Sequence, residues 1–229
     1  MRIIQKTPAV LILSGAAVCA VTMSVLLAGC ASTPVDYYSQ ANAFLNRGQY
    51  EQAIADYTQF ILLNPRYARA YYNRGCAYAA LGEYDRAITD FDQVLAIKPD
   101  LAEVYVTRAD CYKNKSQYDR ALADYDKAVK TSPEFAEAYL RRAAVYNAKG
   151  HYELAVADYN KFLDVCPEDF RGRNNHKAYM NRAVVFYQMG EYDKAWDDVA
   201  KLREFRFGYP TYIDQAFLQD LRVASGRER

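Results

Sequence analysis

Four prolines, Pro65, Pro99, Pro133 and Pro167, recur at one constant interval. Tyr50, Tyr84, Tyr118 and Tyr152 keep the same step, as do Ala53, Ala87, Ala121 and Ala155. Gly48, Gly82 and Gly150 also keep it, with Ser116 in the third place. A further copy starts at Gly190, Tyr192 and Ala195, after an interval six places longer. The common step is about 34 residues, the length of one helix–turn–helix. Such a unit cannot shelter its own apolar side. Copies must therefore stack, each touching only its neighbours. That restricts the chain to a quasi-one-dimensional helical array.

The spacing inside each unit says which faces meet. A Tyr opens the first helix (Tyr37, Tyr71, Tyr105, Tyr139, Tyr179). Four residues on comes a small residue (Ala41, Gly75, Ala109, Ala143, Ala183), and three further an aromatic (Phe44, Tyr78, Tyr112, Tyr146, Phe186). Steps of four and seven place all three on one helical face. The second helix answers with the repeated Ala and, four residues later, a knob: Tyr57, Phe91, Tyr125, Tyr159 or Val199. Pro closes the second helix. These places absorb 16 of the 22 Tyr, so the tyrosine stripe reads as core packing rather than a carbohydrate-stacking surface.

A helical pair of this length with these small, aromatic and Pro places resembles the tetratricopeptide repeat family over roughly residues 34–209. The resemblance implies an all-α fold, a right-handed α-solenoid of five helix pairs (34–67, 68–101, 102–135, 136–169 and 176–209). Residues 210–229 would form a capping helix and tail, with Ile213, Phe217 and Leu221 on one face and Gly226 as a stop. In the family the first helices line a concave groove that takes an extended peptide or a partner helix. Carried over place by place, the partner-binding candidates are Asn42, Tyr72, Asn73, Thr107, Asp110, Asn114, Arg141, Asn147, Asn181 and Gln188. An amide side chain offers a donor and an acceptor together and can pair with a peptide backbone. Glu103 and Thr107 stand where some members hold a C-terminal carboxylate with basic residues, so that clamp is not reproduced.

A charged regularity accompanies the apolar one. Asp56, Asp90, Asp124, Asp158 and Asp198 share one place in the second helix, and Arg74, Arg108, Arg142 and Arg182 share one in the first. The gap from Asp56 to Arg74 is the same as that from Asp90 to Arg108 and from Asp124 to Arg142. The expectation is an ion-pair ladder between neighbouring units, Asp56 with Arg74 and so on, rather than an anion-binding row of Arg. Asp100 and Glu103 are expected to form a capping box at the start of a first helix. The longer spacing before the fifth unit is absorbed by residues 167–176, either as a lengthened first helix or as a bulging loop. Arg171, Arg173, His176 and Lys177 make it a basic, solvated connector.

Residues 1–29 read as an address rather than as fold. Arg2 and Lys6 precede a nearly unbroken apolar run from Ala9 to Ala28, the layout of a secretory signal. The run ends Leu27-Ala28-Gly29-Cys30, which resembles a bacterial lipobox and implies cleavage before a lipidated Cys30. Three acyl chains suffice for stable anchoring where one does not. Ala31 rather than Asp follows Cys30, which implies the outer membrane with the protein facing the periplasm, the inner membrane being the alternative. Residues 30–34 are then a short tether. Four residues reach about 14 Å, so the solenoid is expected close to the lipid surface.

Other chemistry is thinly represented. Without residues 1–29 the chain has 27 basic and 28 acidic residues, a poor balance for displacing counterions from nucleic acid. Two His, no CxxC and no phosphate loop, nucleophile elbow or HExxH leave no evident metal, cofactor or small-molecule site and point away from an enzyme. Cys76 and Cys111 lie on adjacent first helices, where a disulfide is possible in an oxidising compartment, although both read as facing helix packing. With Cys166 the count is odd, so at least one thiol stays free. The expected role is a membrane-anchored scaffold that binds proteins or peptides of the cell envelope. A structural subunit of a secretion or pilus assembly is the alternative.

Overall fold

The computed structural model describes residues 34–166, 174–204 and 215–227. They form eleven helices and, among the described residues, no strand. In chain order these are α1 (Pro34–Asn46), α2 (Tyr50–Leu63), α3 (Ala68–Ala80), α4 (Tyr84–Ile97), α5 (Ala102–Asn114) and α6 (Tyr118–Thr131). They continue as α7 (Ala136–Ala148), α8 (Tyr152–Val165), α9 (Asn174–Gln188), α10 (Tyr192–Glu204) and α11 (Gln215–Ala224). The first helices α3, α5 and α7 begin where the period puts them. α9 is two residues longer than its counterparts, so part of the longer spacing lengthens the helix; residues 167–173 lie outside the described ones.

Each first helix ends in the same turn, and the turn explains the repeated Gly. The chain turns through positive φ at Gly48, Gly82, Gly150 and Gly190. There the amide of the next residue donates back to the helix, as Gln49 does to the Phe44 carbonyl at 2.9 Å and Glu83 to that of Tyr78 at 2.9 Å. This 6→1 closure needs a left-handed residue just past the helix. Ser116 takes the same conformation at φ 58° and makes the same bond, Gln117 to Tyr112 at 2.8 Å.

Within a pair the knob of the second helix seats against the small residue of the first. Tyr57, Phe91, Tyr125, Tyr159 and Val199 are all essentially buried, as are Ala41, Ala109, Ala143 and Ala183. In the second unit the seat is Gly75, where a Cβ would stand 2.8 Å from Phe91 Cε1. The last pair is covered by α11, whose Leu218 and Leu221 bury against Ala195, Val199 and Leu202. Phe217 packs its ring edge-on against Tyr187 at 5.6 Å, while Ile213 lies outside the described residues. Trp196 Nε1 donates to Ser225 Oγ at 3.0 Å and holds the end of α11 down.

The charged regularity is real, but its pairing differs from the expected ladder. Arg74 binds Asp90 of its own unit, not Asp56, through Nε at 2.8 Å and Nη2 at 2.7 Å. Arg108 does the same with Asp124, Arg142 with Asp158 and Arg182 with Asp198. The link to the preceding unit uses the third nitrogen, Nη1, and a residue two places after the expected Asp. These acceptors are Thr58 for Arg74, Asp92 for Arg108, Asp126 for Arg142 and Asn160 for Arg182. Two residues along a helix turn a side chain by about 200°. The place of Asp90 therefore looks into its own pair and that of Asp92 toward the next.

The first-helix tyrosines flank these guanidinium groups. Arg74 lies 5.7 Å from the Tyr71 ring and 5.9 Å from that of Tyr78, and Arg142 sits likewise between Tyr139 and Tyr146. These tyrosines pack around a charge as well as in a core. Burial opposes the charge on Arg74, but the bonds to Asp90 outweigh it and raise its pKa.

The expected capping box is absent. α5 starts after Leu101, which takes the cap place with no side-chain cap bond, so Asp100 stands one residue too early; the Glu103 carboxylate accepts a hydrogen bond from Tyr72 Oη at 2.8 Å. No disulfide joins Cys76 to Cys111. Burial pushes Cys76 up to about 11 and Cys111 up to about 12.

Candidate partner-binding surface

First helices form the inner layer of the stack. α1 touches α3, α5 touches α7 and α7 touches α9, whereas each second helix packs mainly against the first helices on either side. A layer whose members lie closer together is the inside of a curve. All ten candidate residues sit on this layer, on α1, α3, α5, α7 and α9. Asn114 and Gln188 are exposed; Asn42, Tyr72, Asn73, Thr107, Asp110, Arg141, Asn147 and Asn181 are half-buried.

Some of the half-buried residues form clusters that bridge units. In the first two units Asn42 Oδ1 accepts from Tyr57 Oη at 2.6 Å and from Asn73 Nδ2 at 3.0 Å. Asn73 also approaches the Tyr38 hydroxyl at 3.4 Å. In the third and fourth units Asp110 Oδ1 accepts from Tyr125 Oη at 2.6 Å and from Lys113 Nζ at 3.2 Å. The other Asp110 oxygen takes Arg141, whose Nε also donates to Glu137 at 2.9 Å. Further along, the Asn181 side chain stands near the Tyr159 hydroxyl. Asn147 Oδ1 is shielded from solvent without a partner. Of the ten candidates, the structure thus brings together Asn42 with Asn73 and Asp110 with Arg141, while Tyr72 reaches Glu103 of the next unit and Thr107 bonds back to the Glu103 carbonyl of its own helix.

The hydroxyls of Tyr57 and Tyr125 belong to this surface, although as knobs they read only as core. A signal for this was present. At one fixed place ahead of the knob, Asn42 and Asp110 offer acceptors to Tyr57 and Tyr125, while Cys76 stands there before Phe91, which has no hydroxyl. Burial pushes Tyr57 up to about 12 and Tyr159 up to about 12. Burial first, and then the Asp110 charge, raises Tyr125 still further. These phenols are hydrogen-bond donors at any physiological pH and no source of a base. Among the described residues there is no group of acids, His and Cys placed to hold a metal ion.

Family comparison settles what kind of unit this is. A tetratricopeptide repeat model matches residues 38–102, a TPR repeat model residues 109–150 and another tetratricopeptide repeat model residues 136–169. Together they span more than half of the chain. The chain belongs to the tetratricopeptide repeat family.

Tetratricopeptide repeat proteins are typically interaction scaffolds and not catalysts. No curated protein sequence matches the chain. Solved structures share its fold. MamA from Desulfovibrio magneticus RS-1 superposes with a TM-score of 0.68 at 23% identity, over 75% of this chain and 94% of that one. YrrB, described as a TPR protein with an unusual peptide-binding site, gives 0.63 at 18% identity over 85% and 92%. MamA AMB-1 gives 0.62 at 22% over 81% and 97%.

Proposed function

We propose that this tetratricopeptide repeat protein is a membrane-anchored adaptor of the cell envelope, held by lipid on Cys30 and facing the periplasm. It binds a peptide or partner helix along the layer formed by α1, α3, α5, α7 and α9. The observation that carries the binding role is the set of half-buried polar clusters on that layer. Asn42 with Asn73, and Asp110 with Arg141, hold donors and acceptors at the spacing of the units. A partner chain can replace those internal bonds by its own backbone amides at little net cost, because one hydrogen bond is exchanged for another. The peptide-binding site named for YrrB supports the same use of the fold. The Leu27-Ala28-Gly29-Cys30 signal supports the anchor.

The test is site-specific photo-crosslinking in intact cells. A crosslinker at Asn114 or Gln188, both exposed on the inner layer, should capture envelope proteins. One at Lys161 on α8, exposed on the second-helix side, should not. Equal capture at all three sites removes the groove reading. A single stoichiometric assembly component at every site makes the chain a structural subunit instead.

A further inference from the structure

The turn between the first two units departs from its counterparts in both polarity and charge. At the end of α2, Leu62 is 71% and Leu63 57% exposed. The same places hold Ala96 and Ile97 in α4, Lys130 and Thr131 in α6, and Asp164 and Val165 in α8. Just beyond, Arg66 and Arg69 stand where the next two turns carry Asp100 with Glu103 and Glu134 with Glu137. Both Arg are exposed, and among the described residues neither is paired with a carboxylate. Unit packing does not demand this, since the later units pack the same way with acids and small or polar residues there.

The position of the turn gives the difference a direction. The Tyr38 ring lies 5.1 Å from Phe60 and 5.3 Å from Tyr67, so the turn sits beside the start of α1. That helix begins at Pro34, four residues after Cys30, within a reach of about 14 Å. Exposed leucines, a half-exposed Tyr and unpaired Arg at the point nearest the anchor match the make-up of a bilayer interface.

We propose that Leu62, Leu63, Arg66 and Arg69 form a membrane-contacting edge that rests on the anionic bilayer holding the Cys30 acyl chains. This rests on the reading of Cys30 as acylated. The lipid alone tethers the solenoid but leaves its tilt free. A second contact fixes the tilt. The leucines enter the headgroup boundary and the two Arg meet lipid phosphates. The later turns, with Asp100, Glu103, Glu134 and Glu137, are repelled by the same surface. The first unit is held down and the later units stand off, with their inner layer open to a partner.

The test uses the full chain purified from membranes and placed in vesicles of phosphatidylcholine, with or without phosphatidylglycerol, brominated on the acyl chains. Two variants report depth by tryptophan quenching: Leu62→Trp, and Leu154→Trp as a control at another exposed leucine, near the start of α8. Both contain the native Trp196 as common background. Mass spectrometry of the N-terminal peptide reads acylation separately. The expected result is quenching of Leu62→Trp roughly twofold above that of Leu154→Trp, as for a side chain at the headgroup boundary, and only with phosphatidylglycerol. Adding Arg66→Glu and Arg69→Glu should abolish the difference while the chain still floats with the vesicles, since each Arg near an anionic surface contributes roughly a fivefold factor. An acylated, floating chain with equal quenching in the two variants overturns the edge and leaves the anchor standing. An unacylated Cys30 overturns both. Shielding of Leu62 in native envelopes without quenching in vesicles assigns the edge to a protein and overturns the lipid contact.

Discussion

Arg142 grips Asp158 with two parallel hydrogen bonds, Nε to Oδ2 and Nη2 to Oδ1, both 2.7 Å long, while Nη1 reaches Asp126 of the preceding unit at 2.7 Å. One side chain thus closes its own helix pair and fastens that pair to its neighbour. Removing it as Arg142→Ala strands a carboxylate that is only 8% exposed. The expected cost is about 3 kcal/mol, because breaking one side of a buried pair leaves an uncompensated charge. The double variant Arg142→Met with Asp158→Leu should recover most of it. Urea unfolding of the two variants checks this, and equal losses would mean that the pair itself is the source of stability.

The first unit lacks such a grip. Gln40 stands where Arg74 does, and Asp56 Oδ2 has no hydrogen-bond partner. Burial raises the Asp56 pKa, so its charged form is disfavoured in the folded chain. Gln40→Arg should therefore stabilise the protein by about 1 kcal/mol at neutral pH, the scale of a hydrogen bond to a charged group in a partly exposed place. A raised carboxylate pKa costs stability above the folded value, and that cost disappears as the group protonates. The gain from Asp56→Asn should accordingly be present at pH 7 and vanish below the ordinary carboxylate range of about 4. Melting curves of Asp56→Asn at pH 7 and at acidic pH check the sign.

Ser116 occupies a left-handed conformation that Gly takes in the sister turns. An L side chain there costs about 1 kcal/mol. Ser116→Gly should raise stability by somewhat less than that, since the unfolded chain also becomes freer. Gly82→Ser, which imposes the same geometry on the second unit, should lose a similar amount. Chemical denaturation of both variants tests the pair, and effects of the same sign would refute it.

Buried thiols should be slow. With Cys76 pushed up to about 11 and Cys111 to about 12 by burial, little thiolate exists at pH 8. Alkylation of these two residues in the native chain should be far slower than in urea. It should keep rising past pH 9, where an ordinary thiol levels off. Peptide mapping after timed iodoacetamide labelling reads both effects.

Much of the architecture was legible because it depends on period alone. Pro65, Gly48 and Ala53 recur at fixed steps, and each step fixes a helix end, a turn or a close approach. The partner of each Arg was not legible. Arg74 lies nearly midway in sequence between Asp56 and Asp90, so the repeat is equally regular for either choice. Only the rotation of the second helix decides between them. The inner surface was legible as a set of places, but not as clusters. Whether Asn42 faces a partner or Tyr57 depends on a hydroxyl that a pattern of apolar knobs conceals. The capping box failed by one residue. Asp100 and Glu103 have the right types and spacing, yet the helix starts with Leu101 in the cap place, and a helix start is fixed by packing as well as by the local pattern.

The guanidinium grip also bears on how such a chain could grow. Arg108 binds Asp124 within residues 102–135 and looks back to Asp92, while Asp126 waits for Arg142. The second, third and fourth copies each carry a plug on one side and a socket on the other. An extra copy of residues 102–135 spliced in after itself would find both ends already matched, so reach could lengthen by one step without redesigning either terminus.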